Sequence, residues 1–100
     1  MSSTRAILFR AEARAELLRA RDWYESRQPA LGAAFAAEID HVVEQPRLSP
    51  ERYPVVHRDI RRALVRRFPY GIFYQVSASG IVVLSISHLK RNPRRWQSRA

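Results

Sequence analysis

Apolar residues recur along this chain with two different periods. From Ala11 onward, Ala13, Leu17, Ala20 and Tyr24 fall at i, i+4, i+7 and i+11, one face of an α-helix. Glu12, Glu16 and Arg19 are assigned to its solvated side, and Ser26, Arg27 and Gln28 end it. Pro29 suits the first turn of a second helix, where a missing N–H costs nothing. Leu31, Phe35, Ile39 and Val42 give that helix one apolar face, and Pro46 is predicted to stop it. So short a link predicts an antiparallel helical hairpin. Before the hairpin, residues 4–9 (TRAILF) read as a short strand.

After Pro46 the pattern changes. Residues 46–54 hold three prolines and read as a loop. The period then becomes two. Residues 55–57 form a brief strand, residues 62–68 (RALVRRF) alternate partly, and residues 69–71 (PYG) signal a turn. Residues 72–76 and 81–88 are strong strands, with residues 77–80 as a four-residue hairpin loop. In the last strand, strict alternation puts Val82, Leu84 and Ile86 on one face and Ile81, Val83, Ser85 and Ser87 on the other. Asn92 and Pro93 close the strand region, and residues 90–100 form a basic tail. The predicted class is α+β in the order β-α-α-β-β-β: an N-terminal strand and a two-helix antiparallel hairpin packed on an antiparallel β-meander. At 100 residues the chain has room for one domain, taken as residues 1–100.

Charge sharpens the picture. The chain carries 18 basic and nine acidic side chains, a formal net charge of +9. All nine acids lie in residues 1–59 and are balanced there by nine arginines, so the excess belongs to residues 60–100. Of the basic residues only Lys90 is a lysine. Arginine presents a planar fork that suits phosphates and carboxylates. A neutral half joined to a strongly basic half predicts a polyanionic or acidic partner. In an antiparallel meander, Arg58, Arg61, Arg62, Arg66 and Arg67 are expected to converge on one edge with Lys90, Arg91, Arg94, Arg95 and Arg99. Trp96, among the latter, stacks on a base, enters a protein pocket, or folds back as a cap on the helical hairpin.

Other chemistry is thinly represented. There is no cysteine, which removes disulfides and thiolate metal sites. His41, His57 and His88 have no ligand spacing, and no metal or other cofactor is expected. Neighbours on a strand face opposite sides, so Ser87 and His88 do not pair as nucleophile and base. Glycine occurs only at 32, 71 and 80, which excludes a phosphate-cradling loop. The acids before Glu51 fit exposed helix faces and do not support paired-carboxylate catalysis. No apolar run reaches the roughly 18–20 residues of a membrane span. The N-terminus lacks a signal-peptide core, and Glu12 and Glu16 argue against a transit peptide.

The blocks R-A-L-V-R-R-F-P-Y-G-I-F-Y-Q-V (residues 62–76) and I-V-V-L-S-I-S-H-L-K-R-N-P-R-R-W (residues 81–96) resemble the RelE/ParE superfamily of bacterial type II toxins. The likeness extends over about residues 5–96 through the first helix around Ala13, Leu17 and Tyr24, Phe35 of the second helix, and Pro46. It implies the helical hairpin on an antiparallel sheet already read from periodicity. It also implies one of two activities. RelE-like members cut messenger RNA on the ribosome, and ParE-like members poison DNA gyrase.

The RelE-like pattern places an arginine where this chain has Gly71 and a lysine where it has Leu64. It places a tyrosine near Trp96 or Gln97. Arg62 and Arg91 keep basic positions. With that set depleted, and with a long hairpin, the resemblance is closer to ParE-like members. It implies a gyrase inhibitor, not an enzyme, whose target-binding residues are Lys90, Arg91, Arg94, Arg95 and Trp96. A cognate acidic antitoxin would neutralise it, operator DNA would be met only through the antitoxin complex, and the setting would be cytoplasmic, with no membrane partner. The alternative is an endoribonuclease acting on ribosome-bound mRNA through Arg62, Arg66, His88 and Arg91. There His88 serves as acid or base, since its ordinary pKa near 6.5 suits that work. A third reading is a non-toxic interaction protein derived from the family.

Overall fold

The computed structural model describes residues 5–100. Thr4, included in the first strand by the sequence reading, lies outside them. The elements run β1 (Ala6–Phe9), α1 (Ala11–Arg27), α2 (Leu31–Leu48), a 3-10 turn (Pro50–Arg52), β2 (Val55–His57), β3 (Ile60–Val65), β4 (Tyr70–Ser77), β5 (Gly80–His88) and α3 (Arg94–Gln97). The five strands form one sheet in the order β1-β5-β4-β3-β2. From β2 to β5 the neighbours are antiparallel, as the meander requires. β1 joins the far side parallel to β5, pairing Ala6 with Gly80 and Phe9 with Val83. The α+β hairpin-on-sheet class therefore holds, with a mixed sheet.

α1 and α2 form the predicted antiparallel hairpin and cover one sheet face. Phe35, Ile39 and Val43 of α2 and Ala13 and Ala20 of α1 bury against Ala63, Val65, Tyr70, Ile72, Tyr74, Ile81, Val83 and Ile86. The opposite face carries a smaller cluster of Ile60, Phe73, Leu84 and Trp96. The hairpin is tight at Gly32, where a Cβ would stand 2.4 Å from the Arg21 carbonyl oxygen. Glu25, near the end of α1, accepts hydrogen bonds from the Ala30 and Gly32 N–H groups (2.8 and 2.9 Å). One carboxylate thus satisfies orphan donors at the start of the next helix. Those backbone bonds hold its pKa below the usual value.

Several boundaries differ from the sequence reading. Pro29 sits in the link, and α2 begins at Leu31 after Ala30 adopts a left-handed φ of 72°. Pro46 does not stop α2, which continues to Leu48 with Pro46 buried in its last turn. The strand expected over residues 62–68 is shifted to Ile60–Val65. Ser77 and Gly80 pair directly, so the loop between β4 and β5 has two residues, not four. A β-bulge lies opposite Phe73 and Tyr74, which pair with Ser85 and Val83 and leave Leu84 as the extra residue. It breaks the period of two. Ile86 joins Ile81 and Val83 on the helical side, while Leu84 faces away with Val82.

Candidate functional site

The segment after β5 was singled out by charge, and the structure shows what fixes it. At the end of β5, the Leu89 N–H bonds to the Pro69 carbonyl (2.9 Å) and the Arg91 N–H to the His88 carbonyl (3.0 Å). His88 Nδ1 accepts from the Lys90 N–H at 3.1 Å. The Asn92 side chain accepts from the Arg94 N–H (3.0 Å), which starts α3. Trp96 then turns inward. Its ring lies 4.1 Å from that of Phe73 with planes 15° apart, and it meets His57 edge-on at 6.1 Å.

The chain beyond α3 ends on a carboxylate. Arg99 Nη1 donates to Glu16 Oε1 (2.9 Å) and to the Leu84 carbonyl (3.0 Å). Glu16 Oε1 also accepts from Ser85 Oγ (2.9 Å) and from the Ile86 N–H (3.0 Å). Arg95 Nη1 stands 3.7 Å from Glu16 Oε2. Glu16 is 3% exposed. Its assignment to the solvated side of α1 is therefore corrected: the side chain is buried and gathers the basic segment. A signal was present, since Ala13, Glu16 and Ala20 fall at helical spacing on one face.

The proposed target-binding residues divide by environment. Lys90, Arg91 and Arg94 are exposed and make no ion pair among the described residues. Arg95 is exposed but drawn toward Glu16. Trp96 is 8% exposed and packed within the protein. It folds back, yet against the sheet face opposite the helical hairpin, so it does not cap the hairpin.

The expected convergence of all the basic groups on one edge is not found. Arg62, Arg66 and Arg67, with Arg52 and His41, line a groove of about 1180 Å3 beside α2 and β3. Val42, Leu64 and Leu89 also line it. His88 and Arg91 line a separate recess of about 900 Å3 with Arg19, Trp23 and Tyr70. Arg94 borders a third concavity with His57 and Arg58. Arg61 is tied to the carbonyls of Glu51 (3.1 Å) and Tyr53 (2.6 Å). In the sheet, β4 lies between β3 and β5 and separates Arg62 of β3 from His88 at the end of β5, whereas Arg58 and Arg94 share the third concavity and Leu89 reaches the Arg62 groove.

The four residues of the ribonuclease alternative thus fall in two recesses: Arg62 and Arg66 in one, His88 and Arg91 in the other. In the latter, burial raises the Tyr70 pKa, and the nearby Arg91 opposes the rise. The Tyr70 and His88 rings are 5.3 Å apart. Among the described residues there is no cluster of three metal-ligating side chains, and no helix is long and apolar enough to cross a membrane.

A helical hairpin on one face of a mixed sheet, with a basic segment strapped to the edge of the last strand, defines a small two-layer α+β protein. Residues 7–93 match the family described as "ParE toxin of type II toxin-antitoxin system, parDE", and the chain belongs to that family. Its fold is similar to a chain in the solved "Chromosomal ParDE TA system from P. aeruginosa", with a TM-score of 0.77 and 19% identity. That match covers 87% of this chain and 98% of the other. No curated protein matches the chain in sequence.

Proposed function

We propose that this ParE-family chain is a cytoplasmic toxin that inhibits DNA gyrase and is neutralised by an acidic cognate antitoxin. The observation that carries the reading is the segment after β5. Lys90, Arg91 and Arg94 stand exposed within five residues, with no ion pair among the described residues, between the end of a strand and a buried tryptophan. Three cations on a fixed turn lose less freedom on binding an anionic surface than the same cations on a free tail. Trp96 supports this display from beneath. The test is inhibition of purified gyrase supercoiling. The native protein is expected to inhibit at micromolar concentration, and the triple variant Lys90→Ala/Arg91→Ala/Arg94→Ala to be much weaker while equally folded. Absence of inhibition by the native protein would overturn the reading.

The groove beside α2 and β3 suits the antitoxin. Leu64 and Leu89 are 50% and 45% exposed there, and Arg52, Arg62, Arg66 and Arg67 surround them. An amphipathic acidic segment buries the leucines and offers carboxylates to the arginines. Leu64→Glu is expected to weaken antitoxin binding and leave gyrase inhibition intact. Operator DNA would then be contacted through the complex and not by this chain alone. The ribonuclease reading has less support, because its four residues do not share a recess.

A further inference from the structure

We propose that Glu16 is a positioning residue: a buried latch that holds residues 94–100 against the edge of β5 and so sets the display of Lys90, Arg91 and Arg94. β1 pairs with β5 only as far as Phe9 and Val83, and the chain then leaves the sheet to begin α1 at Ala11. β5 continues to His88, and its edge beyond Val83 has lost its neighbour. Backbone groups on such an edge require partners when buried. Two side chains supply them. Glu16 accepts from the Ile86 N–H, and Arg99 donates to the Leu84 carbonyl. The two also bond to each other at 2.9 Å. A carboxylate from α1 and a guanidinium from beyond α3 thus stand in for the missing strand.

The arrangement binds both parts to one another. With Arg99 in place, Glu16 is paired, and Ser85 adds a further hydrogen bond. If residues 94–100 lifted away, the carboxylate would remain beneath α1 with no cation, a costly state. Glu16 Oε2 makes no hydrogen bond of its own and has only Arg95, at 3.7 Å, to balance it. The segment is therefore held at two points, by Trp96 on Phe73 and by Arg99 on Glu16. The exposed cations lie between these anchors and the end of β5. The functional consequence rests on the gyrase reading. The latch itself does not.

The test uses the full chain with Glu16→Gln, Arg99→Ala and Arg99→Lys. Glutamine keeps the volume and an acceptor oxygen but removes the charge, and Arg99→Ala leaves α1 untouched should the buried change impair folding. Amide hydrogen exchange is read at Gln97, Ser98 and Arg99, whose N–H groups bond to Pro93, Arg94 and Trp96 carbonyls. Glu16→Gln and Arg99→Ala are each expected to speed exchange there by about tenfold or more, the size of a lost charge-assisted hydrogen bond, with β3 and β4 amides unchanged. The double variant should be little worse than either single one. Arg99→Lys should recover much of the protection. Unchanged exchange, or uniform acceleration across β3 and β4, would overturn the latch.

Gyrase inhibition by the same variants is the second arm. Potency should fall with protection of the segment and return with Arg99→Lys. Lost protection with undiminished potency would overturn the positioning role. Failure of the native protein to inhibit gyrase would remove the target and leave the exchange result to decide the latch.

Discussion

The indole of Trp96 lies almost flat on the ring of Phe73, 4.1 Å between centroids and 15° from parallel. This pair joins α3 to β4 on the face of the sheet that the helical hairpin leaves uncovered. Trp96→Ala removes the largest side chain of that cluster and is expected to destabilise the fold by about 3–5 kcal/mol, the usual cost of an emptied aromatic site. Trp96→Phe retains a stacked ring and should cost less. Urea unfolding measures both.

Tyr74 predicts an alkaline limit. It is fully buried, its hydroxyl donates to the Pro50 carbonyl at 2.6 Å, and burial pushes its pKa up to about 12. Ionisation of the unfolded chain near the ordinary value of 10.0 then favours unfolding. The contribution is fully present below pH 10 and is lost as pH rises through about 12. At roughly 1.4 kcal/mol per pKa unit it amounts to about 2–3 kcal/mol. Tyr74→Phe should flatten this alkaline slope. At neutral pH the variant should cost about 1–3 kcal/mol, because it strips the Pro50 carbonyl of its donor. Denaturant midpoints between pH 8 and 12 provide the comparison.

Glu25 predicts the acid limb. Its pKa is lowered by the Ala30 and Gly32 N–H groups, so its stabilisation exists above the ordinary carboxylate range. That stabilisation is lost as pH falls through the depressed value. Glu44, lowered by its hydrogen bond with Arg47, contributes in the same direction. Glu25→Gln should be less stable than the native protein at neutral pH and converge with it in acid. Thermal melts across pH 2–7 read the effect.

Gly32 sets two effects against each other. Alanine is the better helix former by about 1 kcal/mol. The added Cβ, however, meets backbone, the Arg21 oxygen at 2.4 Å, and stands 2.9 Å from the Glu25 Cβ. Overpacking of this kind costs about 1–3 kcal/mol. Gly32→Ala is therefore expected to lower stability, with helix content unchanged by far-UV circular dichroism.

What could be read from the chain follows the range of each interaction. The hairpin was legible because Leu17, Tyr24, Phe35 and Ile39 repeat within single helices, and β4 and β5 because their alternation is local. Pro46 misled because a proline inside a helix forfeits one i→i−4 bond without necessarily ending it, and α2 runs on two residues further to Leu48. The bulge at Leu84 was hidden because nothing in residues 81–88 marks where a register slips. The side-by-side placement of Ala6 and Gly80 rests on contact across most of the chain. Glu16 was misread for the same reason. Its partner is Arg99, near the other end of the chain, and the alignment of Glu16 with Ala13 and Ala20 places the acid on the buried face without naming the cation that pairs it. The ParE likeness was legible from the blocks around Tyr70–Tyr74 and His88–Trp96, while the split of Arg62 from His88 needed the strand order.

The parallel pairing of β1 with β5 has a consequence for timing. Ribosomes deliver the chain N-terminus first, and contacts of long sequence separation close late. Until Gly80 and the residues after it have emerged, β1 lacks its neighbour and Glu16 its counter-ion. Lys90, Arg91 and Arg94 do not yet exist. During synthesis the nascent chain therefore lacks both the strand that pairs with β1 and the cations that the gyrase proposal assigns to the target, and the stretch from Gly80 to Arg99 supplies them together.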